Sequence, residues 1–104
     1  MRMDHDPLDT EAGEKAQQES ADKGRHALRV EKDDLVWITQ TKRGRRFVLR
    51  MLERAGVWQL SFDTNALKMA FNEGRRNEGL ALTAKMLELC PENYRLMLTE
   101  LKDE

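Results

Sequence analysis

Between Arg45 and Ala55 the apolar side chains Phe47, Val48, Met51, Leu52 and Ala55 fall at i, i+1, i+4, i+5 and i+8. That spacing puts them on one side of a helix, with Arg46, Arg50 and Glu53 away from it. Thr41 is a candidate cap in front of this helix, and Gly56 is the stop expected just past its end. A longer helix is predicted from about Asn65 to Leu89, capped by Asp63 or Thr64. Leu67, Ala70, Phe71, Gly74, Glu78 and Ala81 share one face of it, and Leu82, Met86 and Leu89 add an adjoining stripe. Cys90-Pro91-Glu92 restarts the chain, with Pro91 at a first helical position where its missing N–H does no harm. Tyr94, Met97, Leu98 and Leu101 then line one side of a final helix.

Between the first two helices, Val57-Trp58-Gln59-Leu60-Ser61-Phe62 alternates as a strand would. No second strand is at hand to pair with it. The expected form is an extended connector whose Val57, Trp58, Leu60 and Phe62 fill gaps between helices. Upstream, Asp33 and Asp34 suit the positive end of a short helix holding Leu35, Val36, Trp37 and Ile38. Residues 14–32 have helix-forming composition but offer only Ala16, Ala21, Ala27, Leu28 and Val30 for burial, and Gly24 interrupts them. Residues 1–13, with Asp4, Asp6, Asp9, Glu11, Pro7 and Gly13, read as disordered. A helix polar nearly all round is unstable unless it packs on a partner. The fold class is therefore all-α: a small bundle of three to four helices over residues 33–104. A flexible acidic arm over residues 1–32 precedes it, disordered or helical only when docked. A core of roughly 70 residues is marginal, which favours oligomerisation or docking on a larger assembly.

Charge sharpens this division. The formal net charge of −1 hides 6 basic and 10 acidic residues in 1–34, 9 basic and 3 acidic in 35–76, and 3 basic and 6 acidic in 77–104. A basic middle between acidic ends can mark a binding patch, or let the chain pair with its own copies. With 36% charged residues, part of the chain is not expected to fold alone. Cys90 stands alone, so there is no disulfide framework and no cysteine cluster for zinc. No secretory-type start is visible, and no apolar run approaches the roughly 18 residues of a membrane span. A soluble protein of a reducing compartment, without a membrane partner, is expected.

Catalytic chemistry finds little support. His5 and His26 both lie in the weakly folding arm, and Ser20 has no elbow motif around it. Asp4-His5-Asp6 reads as a solvated stretch rather than a metal site. Gly74-Arg75-Arg76-Asn77-Glu78-Gly79 lacks the Gly-Lys-Ser/Thr ending of a phosphate loop. Cys90 reads as a small buried residue at a helix junction. No catalytic residue, metal or cofactor is assigned, and the chain is read as non-enzymatic.

What stands out instead is a Gly-Arg-Arg triplet present twice, at Gly44-Arg45-Arg46 and Gly74-Arg75-Arg76. The first opens a basic cluster in which Arg46, Arg50 and Arg54 are spaced i, i+4 and i+8 as a ridge. Lys42, Arg43, Arg45, Arg46, Arg50 and Arg54 are the candidate partner-binding residues. The same ridge serves equally as a solvated face paired with acidic groups of the arm, another helix or another subunit. Glycine costs a helix interior about 1 kcal/mol relative to alanine, so Gly74 and Gly79 require a structural reason. Gly74 is expected on a buried face beside Phe71, where another backbone approaches. Glu73 is expected to pair with Arg76 or Asn77, and one of Arg75 and Arg76 to reach a carboxylate or a helix-end carbonyl. Gly44, Phe71, Glu73, Gly74, Arg75, Arg76 and Gly79 are thus assigned to helix crossing and structure.

From Asp34 to about Glu100 the chain resembles a family of small tailed-bacteriophage proteins named for a member in a short-tailed Bordetella phage. The resemblance rests on Asp34-Leu35 with Trp37, on Gly44-Arg45-Arg46-Phe47-Val48-Leu49-Arg50, and on Leu52-Glu53-Arg54-Ala55-Gly56-Val57 with Phe62. It continues in Met69-Ala70-Phe71-Asn72-Glu73-Gly74-Arg75-Arg76-Asn77-Glu78-Gly79 and closes with Cys90-Pro91, Tyr94 and Met97. Ile38-Thr39-Gln40 is more polar than that pattern leads one to expect. The resemblance implies a phage origin and a role in the virion structure and assembly module, and brings no catalytic residues with it. The expected function is a minor virion or particle-assembly component acting through helix-mediated protein contacts. Its partners would be other phage structural proteins or copies of itself, met in the host cytoplasm during assembly and in the virion. The alternative is a nucleic-acid-binding accessory in genome packaging or regulation. A regulator of a host protein is a third option.

Overall fold

A computed structural model describes residues 7–102, so Asp4-His5-Asp6 lies outside the described residues. Four helices follow one another: α1 (Pro7–Thr39), α2 (Lys42–Ala55), α3 (Ala66–Leu89) and α4 (Pro91–Leu101), with no strand among the described residues. The all-α expectation stands. The chain divides into two compact units, Met1–Glu31 and Lys32–Glu104.

α1 is longer than the pattern predicts. Residues 7–13, expected as irregular chain, are its first turns, and no new helix starts at Asp33. Pro7 is pre-set for a first turn, and Gly24 alone costs too little to break a hydrogen-bonded ladder that is already running. Every residue from Glu11 to Asp34 is exposed. Local pairs run along the helix: Gln18 Nε2 donates to Asp22 at 3.2 Å, and Arg25 pairs with Asp22. Exposed pairs of this kind add only a few tenths of a kcal/mol each.

The second unit has a single core. Val48, Leu49, Leu52, Val57, Met86, Cys90 and Met97 are buried, with Leu35, Val36, Ala55, Leu80, Leu82 and Tyr94 packed around them. α2 starts where expected: Thr41 Oγ1 accepts from Gly44 N at 3.1 Å. It stops at Gly56, whose φ of 80° lets its N–H reach Glu53 O and Leu52 O. Its buried face is shifted, however. Val48, Leu49 and Leu52 point inward, while Phe47 and Met51, assigned to the core, are exposed. The mean directions of the two stripes are about 75° apart on a helix with 3.6 residues per turn, and Leu49 belongs only to the inner one.

The connector also turns the other way. Val57 is buried, but Trp58, Leu60 and Phe62 face outward, Leu60 at 92% and Phe62 at 74% exposure, while Ser61 and Asp63 are half-buried. Val57 and Trp58 stand in a turn where Gln59 N donates to Gly56 O at 3.1 Å, so the alternation of an extended segment does not run through them. α3 is capped by Asn65 rather than Asp63 or Thr64. Asn65 Oδ1 accepts from Lys68 N at 3.1 Å, while Asp63 Oδ1 accepts from Asn65 N at 2.8 Å just upstream.

α3 differs most from expectation. Gly79 and Met86 are buried and Met69, Asn72, Arg76, Leu80, Leu82, Thr83 and Leu89 half-buried. The stripe of Leu67, Ala70, Phe71, Gly74, Glu78 and Ala81 faces solvent. Gly79 explains the choice. A Cβ there would lie 2.5 Å from Val57 Cγ2 and 2.8 Å from Ala55 Cβ, so α3 meets the end of α2 at a spot with no room for a side chain. Of the two glycines assigned to a helix crossing, Gly79 stands at one, whereas Gly74, expected on the buried face, is exposed and a Cβ on it would meet nothing within 4 Å. α4 follows its predicted register over most of its length: Pro91 leads it, Met97 is buried, and Tyr94 and Leu98 are half-buried, while Leu101, placed on the same face, is exposed.

Candidate functional site

Gly44-Arg45-Arg46 separates into an inward and an outward arginine. Arg45 is only 13% exposed; its Nη1 donates to Thr39 O at 2.9 Å, its Nε donates to Glu100 Oε1, and its Nη2 lies 3.4 Å from Glu100 Oε2. The planar guanidinium fork thus holds both the carboxylate on α4 and the last carbonyl of α1. Thr39 is fully buried beside it: its Oγ1 donates to Leu35 O at 2.6 Å and accepts from Asn93 Nδ2 at 3.0 Å. A Cβ on Gly44 would sit 1.7 Å from Ile38 O, so only glycine allows α2 to start this close to the end of α1. Arg45, assigned to partner binding, is therefore a brace that sets the angle of α2. Sequence reasoning missed Thr39, Asn93 and Glu100; the polarity of Ile38-Thr39-Gln40 was the one signal pointing there.

That brace orients the rest of the cluster outward. Lys42, Arg43, Arg46, Arg50 and Arg54 are all exposed, and none forms an ion pair among the described residues. Arg43, Phe47, Arg50 and Arg54 stand at i, i+4, i+7 and i+11, so the exposed ring lies among the guanidinium groups. Two shallow clefts flank this face. One, of about 410 Å³, is lined by Trp37, Ile38, Arg43 and Phe47 among others, with Trp37 71% exposed. The other, of about 450 Å³, is lined by Met51, Arg54, Ala55, Phe71, Arg75 and Glu78.

The second triplet contributes to that cleft rather than to a buried crossing. Phe71 is 67% exposed, and the Arg75 guanidinium carbon lies 5.7 Å from its ring centroid, a cation–π contact one turn apart. Arg75 reaches no carboxylate among the described residues. Arg76 is half-buried and its Nε lacks a hydrogen-bond partner. Glu73 is exposed and pairs with neither Arg76 nor Asn77 among the described residues.

The arrangement can hold a surface that is acidic and apolar at once. Arginine and aromatic side chains are over-represented where binding energy concentrates, and solvent-exposed Trp37, Phe47 and Phe71 lie beside arginines that the fold leaves unpaired. No group of three metal-ligating residues is assembled among the described residues. Among the described residues no helix is long and apolar enough to cross a membrane. Residues 36–99 match the model of one protein family, described as Bbp19-like phage protein, a stretch that takes in Trp37, α2, α3 and nearly all of α4. No curated protein and no solved structure matches the chain.

Proposed function

This chain belongs to the family of Bbp19-like phage proteins, and on that premise we propose that it is a non-enzymatic particle-assembly or minor virion component working by helix-mediated protein contacts. The observation that carries the reading is the open arginine–aromatic face of α2, continued by Phe71 and Arg75 of α3. Burying one large apolar side chain yields about 1.5–3 kcal/mol, so Phe47 and Phe71 are the apolar anchors of such a contact. The arginines then select for acidic partners and speed encounter. Other phage structural proteins or copies of the chain itself are the partners, met in the host cytoplasm as particles form.

Pull-down with capsid, portal and tail components, together with mass spectrometry of purified virions, tests this. Association is expected with at least one component, weakened about a hundredfold by the double substitution Phe47→Ser and Phe71→Ser. No association with any component, and no copies in purified particles, defeats the reading.

The unpaired cations Lys42, Arg43, Arg46, Arg50 and Arg54 favour a second reading, a nucleic-acid-binding accessory in packaging or regulation. It expects affinity to fall steeply with salt and to weaken with Arg46→Ala or Arg50→Ala. Absence of DNA binding at low salt removes it. Exposed Leu60 and Leu67 gain nothing from phosphates, which is why protein contact comes first.

A further inference from the structure

We propose that the acidic first half of α1 in one copy docks on the arginine face of α2 in a second copy. This rests on the reading of that face as a protein-docking surface, and names the partner. Charge complementarity is the first argument. Residues 9–22 carry Asp9, Glu11, Glu14, Glu19 and Asp22 against Lys15 alone. The outward side of α2 carries Lys42, Arg43, Arg46, Arg50 and Arg54 against Glu53 alone. Among the described side chains, Asp22 has Arg25, but Glu11, Glu14 and Glu19 have no ion pair, and neither have the five outward cations of α2.

The second argument is that α1 buries no side chain from Glu11 to Asp34, and a polar helix in water is marginal without a partner. Spacing and size agree with the charge. Glu11 and Glu19 are eight residues apart, as are Arg46 and Arg54, about 12 Å in each helix. Ala12 and Ala16 share a face with Glu19 at i, i+4 and i+7. Their small side chains allow close approach to Phe47 and Met51. Each copy holds both surfaces, and a reciprocal exchange of the two contacts makes a twofold dimer.

The test is charge reversal followed by charge exchange, on the full chain, with mass read by light scattering during gel filtration. The wild-type chain is expected to dimerise, less so as salt rises. Arg50→Glu with Arg54→Glu, and separately Glu11→Arg with Glu19→Arg, should each weaken self-association about tenfold or more. All four sites are exposed, and unchanged circular dichroism verifies the fold of each variant. Mixing the two variants should restore a dimer containing one of each. A wild-type chain that stays monomeric, variants that dimerise as well as wild type, or a mixture that fails to recover the dimer each overturn the proposal. If a monomeric chain still captures a capsid, portal or tail component and Arg50→Glu with Arg54→Glu abolishes that capture, only the second-copy assignment falls. If the reversed variant dimerises and captures components undiminished, the docking surface falls as well. DNA binding by a monomer, lost in the same variant, assigns the face to nucleic acid instead.

Discussion

A methyl group at position 79 and the same group at position 74 should have opposite effects. At Gly79 the new carbon would meet Val57 Cγ2 at 2.5 Å and Ala55 Cβ at 2.8 Å, both on short side chains that cannot swing aside. Gly79→Ala is expected to destabilise by about 1–3 kcal/mol, the usual range for overpacking. At Gly74 nothing lies within 4 Å, and alanine there is expected to stabilise by about 0.4–1 kcal/mol through helix propensity and a less free unfolded chain. Chemical denaturation of the two variants measures both. The two glycines stand five residues apart in one helical pattern, and composition does not distinguish them. Which one marks the crossing depends on where Ala55 and Val57 arrive, a tertiary fact. Arg45 was hidden for a related reason. Among six basic residues within thirteen positions, its inward role depends on Glu100, 55 residues away.

Element boundaries were far more legible, because caps and stops are local chemistry. Thr41, Gly56 and Pro91 act where their side chains and backbones predict. Facing was less legible. α3 carries two plausible stripes, and the one with Phe71 and Leu67 is the more apolar to the eye yet lies on the solvent side. α1 shows the limit most clearly: from Glu11 to Asp34 it buries nothing, and such a stretch gives no periodicity from which the helix's length could be read. The two ends of the chain should also differ in how firmly their ladders hold. Hydrogen exchange is expected to find amides of residues 11–31 weakly protected and those around Leu52, Met86 and Met97 protected near the global limit, since local openings need not break the core. Equal protection along α1 would show that this helix gains partners under the conditions of measurement.

Taken whole, the molecule keeps a basic, aromatic surface beside its core and a long acidic helix whose described residues before Leu35 are nearly all exposed. The basic half of that surface was readable, because charge at i, i+4 and i+8 is a property of the chain alone. The aromatic half was not: Phe47 and Met51 sit close enough to the core stripe that only Leu49, taking the inner place, decides against them. One further consequence lies in the corner between α3 and α4. Cys90 is the sole cysteine of the chain, and it is 6% exposed at that corner with Thr39 Oγ1 4.0 Å from its sulfur. In the native protein a water-soluble disulfide reagent should therefore react slowly, limited by opening of the corner. In denaturant the reaction should accelerate along the same midpoint as loss of helical circular dichroism, and rapid reaction without denaturant would show a corner that opens independently. A single sulfur atom thus acts as a clock for the bundle, needing no label and no substitution to be read.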